Sequence, residues 1–185
     1  MIKKRLIALT AATILSLSLF AGCAQKQATN TTTPPATTDA TTTASIVKDD
    51  VAFEKAISKD GKWIIATLND LTINKDLVLD GSFVNGKKDT AGKDIVQRKI
   101  ALYTQDADRK VTARFTLTAP KLTINSPNAS IQHGTFKGDI YVNVPNFQLV
   151  DNKVEGNIYF VDEAAKSTFK MDATSTVSGK QEIKK

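Results

Sequence analysis

One cysteine and one histidine stand among 185 residues. A single cysteine excludes a disulfide framework and a thiolate-cluster metal site, and a single histidine excludes a His-rich zinc or non-haem iron centre. Aromatic residues make up only 6%, so a core must be built from aliphatic and β-branched side chains. No phosphate-binding glycine loop, dinucleotide fingerprint or Ser-His-Asp signature occurs in the chain, and we expect no cofactor and no metal. What the sequence does hold is 41% hydrophobic residues, enough for one packed domain and its attachments.

The first 22 residues read as a signal peptide. Lys3, Lys4 and Arg5 precede an apolar run from Leu6 to about Phe20, which suits a signal-peptide core and is short for a stable membrane span. The run ends in Leu19-Phe20-Ala21-Gly22-Cys23. This resembles the lipobox of bacterial lipoproteins, with Phe20 a small departure where leucine is usual. The resemblance implies cleavage before Cys23, lipidation of its sulfur and an extracytoplasmic protein anchored to the membrane, on the cell surface or in a periplasm. The alternative is an ordinary secretory signal with a chance cysteine. Two or more acyl chains give stable anchoring. The leader holds three of the 25 Lys+Arg and none of the 19 Asp+Glu, which leaves about +3 on the rest. So mild a charge gives no reason to expect a nucleic-acid partner.

Residues 23–45 follow as the lipidated cysteine and a linker of Thr, Ala, Gln, Asn and Pro, centred on Thr31-Thr32-Thr33-Pro34-Pro35. Such a composition cannot bury enough to order itself. As a flexible coil it spans roughly 25 Å.

Residues 46–185 form the folded domain. A short helix opens it: Asp49 or Asp50 can cap, Phe53, Ala56 and Ile57 give an apolar stripe, and Gly61 is the expected stop. Helical periodicity then gives way to short alternating segments such as Leu71-Thr72-Ile73, Leu122-Thr123-Ile124, Ile140-Tyr141-Val142 and Ile158-Tyr159-Phe160. Residues 122–139 and 140–157 align at an offset of 18, Asn125 on Asn143, Pro127 on Pro145, Asn128 on Asn146 and Gly138 on Gly156. The apolar positions fall together too, Ile131 with Leu149 and Phe136 with Val154. A further turn runs to Gly179 with an insertion near Asp162–Lys166, and LTIN at 71–74 looks like an earlier copy of LTIN at 122–125.

A period of about 18 residues, with short strands and Asn, Pro or Gly between them, predicts an all-β fold: a short, three-sided, right-handed parallel β-helix of five or six coils with the opening helix as its N-terminal cap. The competing architecture is an antiparallel sandwich, which predicts hairpins and has no place for a fixed phase. Gly138 and Gly156 fit corners of positive φ. Residues 87–112 break the rhythm and are basic, with Lys87, Lys88, Lys93, Arg98 and Lys99; they read as an extruded insertion, with Asp106, Asp108, Arg109 and Lys110 in a turn.

The stretch FEKAISKDGKWIIATLNDLTINKDLVLDGSF resembles the N-terminal cap and first coils of the pectin-lyase-like β-helix superfamily. The coils containing GDIYV and GNIYF are more weakly similar to bactofilins, small β-helices that polymerise end to end. Neither resemblance carries a catalytic motif onto this sequence.

Tyr141 and Tyr159 should point outward on neighbouring coils as a platform for the apolar face of a sugar, or simply as a ladder of strand formers. Lys87 and Lys88 are the second candidate binding group. His133 lies 18 before Asp151, either as an acid/base pair or as a solvated corner pair, and Lys137 should pair with Glu155. Asp106 and Asp108 beside Arg109 and Lys110 are the residue types a calcium-dependent polysaccharide lyase needs, and equally those of a polar turn. The expectation is a non-catalytic module that binds or scaffolds an envelope polysaccharide. The alternatives are a self-associating structural protein and a lyase.

Overall fold

The computed structural model describes residues 44–184; the leader, Cys23 and the linker up to residue 43 lie outside the described residues. Strands account for 52% of what is described and helix for 9%, and the strands build a parallel β-solenoid.

Strand β1 (Ala44–Val47) comes first, so the fold takes in two residues of the segment read as linker. Helix α1 (Asp50–Ile57) follows; Asp49 is its N-cap, accepting from the Ala52 amide at 2.8 Å, and Phe53, Ala56 and Ile57 are buried. The helix stops at Ser58, earlier than Gly61 suggested. Gly61 is needed for space instead, because a Cβ there would sit 2.0 Å from the Ala56 carbonyl oxygen.

The strands stack in three parallel ladders. The first contains β1, β2 (Ile64–Thr67), β7 (Arg98–Ala101), the start of β10 (Ala129–Val142), the start of β11 (Gln148–Glu155) and β13 (Lys170–Met171). The second contains β3 (Leu71–Thr72), the middle of β9 (Val111–Ile124), the middle of β10, the end of β11, and β14 (Thr176–Val177). The third contains β4 (Leu77–Leu79), the ends of β9 and β10, β12 (Ile158–Phe160) and β15 (Gln181–Ile183). The 18-residue phase is the pairing register: Ile131 on Leu149, Phe136 on Val154, and Leu122, Ile140 and Ile158 in one column. Such parallel stacking excludes the antiparallel sandwich. Inside, Ile65, Ile100 and Ile131, then Leu117 and Phe136, then Leu122, Ile140 and Ile158 are all fully buried, so each coil buries the apolar row of its neighbour.

The corners explain several polar residues. β10 passes between ladders at His133 (φ 53°) and Gly138 (φ 136°), and β11 turns at Asp151 (φ 49°), stacked on His133. Asn128 and Asn146 hold positive φ at a third corner. Asn, Asp and His are the side chains that best tolerate this region. Gly156 departs from the expectation: its φ is not left-handed, but a Cβ would lie 2.0 Å from the Gly138 carbonyl oxygen. The LTIN correspondence also fails in register, since Leu77–Leu79 stacks on Leu122–Ile124 while Leu71 pairs with Leu117.

Within 87–112 the chain is not one extruded segment. An antiparallel hairpin, β5 (Val84–Lys88) and β6 (Asp94–Val96), forms a sheet of its own. β7 then runs within the wall, with Arg98 fully buried. A second hairpin follows, from β8 (Tyr103–Gln105) into β9. The insertion near Asp162 is a short helix, α2 (Glu163–Ser167), capped by Asp162.

Candidate functional site

Alternation on the third ladder sends Ile140, Val142, Ile158 and Phe160 inward, which leaves Tyr141 and Tyr159 facing out in register. Their ring centroids are 4.9 Å apart and the planes are tilted by 46°, so the pair is not one flat platform. The Lys184 ammonium lies 4.3 Å from the Tyr159 ring centroid and donates to the Tyr141 hydroxyl at 3.3 Å. That bond to Tyr141 raises the Lys184 pKa. Lys121 lies 5.6 Å from the Tyr141 ring while ion-paired with Asp76 at 2.6 Å, and Asp76 raises its pKa. The result is an outward-facing aromatic–ammonium cluster in which both rings are half-buried. Its ring faces and edges suit the apolar face of a pyranose, and its ammonium groups can donate to hydroxyls or carboxylates.

Lys87 and Lys88 do not join this cluster. They stand on the β5–β6 hairpin, which pairs with no solenoid strand and is held beside the first ladder by the Asn128 amide donating to the Val96 carbonyl at 2.9 Å. Lys88 is committed to Asp94 at 2.8 Å. Lys87 acts on Lys99, whose pKa is lowered first by burial and then by the Lys87 charge. An open cleft of about 560 Å³ lies along the hairpin, lined by Asp89, Asp94, Asn128, Asn146, Gln148 and Lys170.

His133 and Asp151 do meet, Nδ1 to Oδ2 at 2.9 Å. The same Oδ2 accepts from Arg114 at 2.5 Å, and Asp172 accepts from the Asp151 amide. His133, then Arg114, hold the Asp151 carboxyl below its ordinary value. His133 and Arg114 converge on one oxygen, which makes this a clamp across coils. The Tyr103 ring packs edge-on to His133 at 4.4 Å. Lys137 and Glu155 pair at 3.2 Å. Asp106 accepts from the Lys110 amide and closes the β8–β9 turn, with Arg109 at φ 64°; its carboxylate is occupied by that turn.

Sequence reasoning missed one group. Trp63, Lys99 and Tyr103 gather on the outside of the first ladder, the Lys99 ammonium 5.7 Å from the Trp63 ring and 5.9 Å from the Tyr103 ring. Trp63-Ile64-Ile65 read as a short strand, but which strand would lie beside it depended on the register. Comparison with protein-family models, with curated proteins and with solved structures gives no match.

Proposed function

We propose that the chain is a non-catalytic binding module of the bacterial envelope, lipid-anchored through Cys23, whose Tyr141–Tyr159–Lys184 cluster holds an envelope polysaccharide. We further infer a right-handed, three-sided β-helix with α1 as its N-terminal cap. The three ladders support three sides, and the burial of Phe53, Ala56 and Ile57 against the first turns supports the cap. The binding reading is carried by one observation: two outward tyrosines on adjacent coils with an ammonium group over them. Aromatic rings and charged donors on a rigid wall are preorganised, so little conformational freedom is lost on binding.

The test is co-sedimentation of the full chain in detergent with isolated cell-wall material. Binding that falls in Tyr141→Ala/Tyr159→Ala, and holds in Lys87→Gln/Lys88→Gln, supports the cluster. Binding unaffected by the tyrosine changes refutes it. Pelleting without wall material would mark a self-associating protein instead. New ultraviolet absorbance from unsaturated uronides on incubation with pectate would mark a lyase.

A further inference from the structure

The wall formed by β1, β2 and β7 carries a small second apolar cluster on its outer side, most of it buried. Its inward residues are Ile65 and Ile100. The outward rows, read from the register, are Ala44, Ile64 and Lys99, and beside them Ile46, Ala66 and Ala101. Ala44, Ile64 and Ala101 are themselves buried; half-buried Trp63, Ala66 and Tyr103 pack over them, and together with Ile46, 42% exposed, these form the surface of this outer face. Further along the same ladder the outward positions are the buried Ser130 and half-buried Gln132, then Gln148 and Val150.

Two lysines border this face. The Lys99 ammonium lies between the Trp63 and Tyr103 rings, and Lys87 is near enough to lower its pKa. Among the described residues neither lysine has a carboxylate within ion-pair distance. A partly buried ammonium without a counter-charge favours an anion beside it. The chain also arrives here: Ala44, the first described residue, belongs to the cluster, and Cys23 precedes it by residues 24–43 alone.

We propose that this face docks on the surface of an anionic lipid bilayer, so that the folded domain lies against the membrane rather than away from it. The tether rests on the lipidation of Cys23 proposed above; the docking chemistry does not. Tryptophan and tyrosine favour the headgroup level, where one edge of the ring is dry and the other wet. Lysines near an anionic surface gain from its potential. With Cys23 in the bilayer, the 20 residues between it and Ala44 keep this face near the membrane, at an effective concentration that lets a weak contact persist.

Trp63 is the only tryptophan of the chain, so its fluorescence reports on this face alone. The full chain is reconstituted on phosphatidylcholine vesicles with and without phosphatidylglycerol, using bromine-labelled acyl chains as quenchers. The expected result is Trp63 quenching that requires phosphatidylglycerol and is reversed by salt. Lys87→Gln and Lys99→Gln should each shift the docked-to-free ratio by about fivefold. Lys99→Arg should preserve docking, and Lys166→Gln on α2 should leave it unchanged. Four results would overturn the proposal: no quenching with phosphatidylglycerol, equal quenching without it, an equal loss in Lys166→Gln, or Trp63 emission that responds to wall polymer or to protein concentration instead of lipid. Failure here with tyrosine-dependent wall binding intact removes the docking face and leaves the binding module standing.

Discussion

Arg98 offers a sharp test of how the first turns are held together. Its side chain is fully buried, although it lies in a segment rich in surface lysines. The guanidinium donates to the Ala56 carbonyl at 2.5 Å, to the Ser58 carbonyl at 2.9 Å and to the Asp80 carbonyl, and it stacks on Phe83 at 4.0 Å. Ala56 and Ser58 end α1, where carbonyls lack partners within the helix and carry its negative pole. One cation thus ties the helix end to the loop after β4 and to the root of the β5–β6 hairpin. Burial lowers its pKa to about 10, with Asp80 opposing, so it stays charged at neutral pH.

Arg98→Met keeps most of the apolar stem and removes the donors. Each stranded carbonyl costs about 1–3 kcal/mol where buried. Removing a charge that had been taken out of water offsets part of this. We expect a net loss of about 2–4 kcal/mol and a fall in melting temperature of roughly 6–15 °C, read by circular dichroism on the full chain. Arg98→Lys should fall between, since one ammonium cannot reach three carbonyls in fork geometry. A Met variant as stable as the parent would refute the reasoning, because desolvation of the charge would then equal everything its bonds return.

Three further outcomes are expected. Phe136→Ala, at a fully buried position of the second ladder, should cost about 3–5 kcal/mol in chemical denaturation, as cavity formation in a rigid core does. Gly156→Ala should cost at least about 1–3 kcal/mol, because the new methyl meets the Gly138 carbonyl oxygen, a backbone atom that cannot swing away; a neutral result would mean that the corner relaxes freely. The third concerns acid: Asp151 has a folded-state pKa held below its ordinary 3.8 by His133 and Arg114. A carboxyl depressed on folding contributes stability above its unfolded pKa and loses it as pH falls through the folded one. The parent should therefore lose stability below about pH 4 more steeply than Asp151→Asn, and parallel acid limbs would show that the clamp contributes nothing.

The period was legible because a solenoid repeats the same structural demand in each coil. An inward row must be apolar and a corner must accept an unusual backbone, so Ile131, Phe136 and Asn128 recur 18 residues later as Leu149, Val154 and Asn146. What failed were inferences needing a partner far away in the chain. The two LTIN segments look alike, yet two hairpins between them reset the phase, and any short apolar triplet can fill the row; Leu77–Leu79 does. Arg98 read as one more surface cation because its acceptors lie 18 to 42 residues away. Tyr141 and Tyr159 were placed by alternation alone, whereas Lys184, folding back over them from the last strand, was beyond any local pattern.

The same geometry suggests how one small wall could serve two partners. Stacking fixes each outward residue in a line across the coils, so the chemistry of a face changes only as the sequence changes from coil to coil. On the first ladder that line runs from Ile46 and Ala66 through Ala101 to Gln132 and Val150, apolar where the chain enters and with a single amide beyond. On the third it runs from Val78 and Thr123 to Tyr141, Tyr159 and Glu182, gathering its aromatic and charged groups in the later coils. If the entry face rests on lipid, the tyrosine cluster sits on another ladder and in later turns, away from the contact. The two proposals are then compatible in one molecule, and their variants should act independently: sites without shared partners add. A Lys99→Gln change that also weakened wall binding, or a Tyr141→Ala change that also released Trp63 from lipid, would show that the two faces are one site.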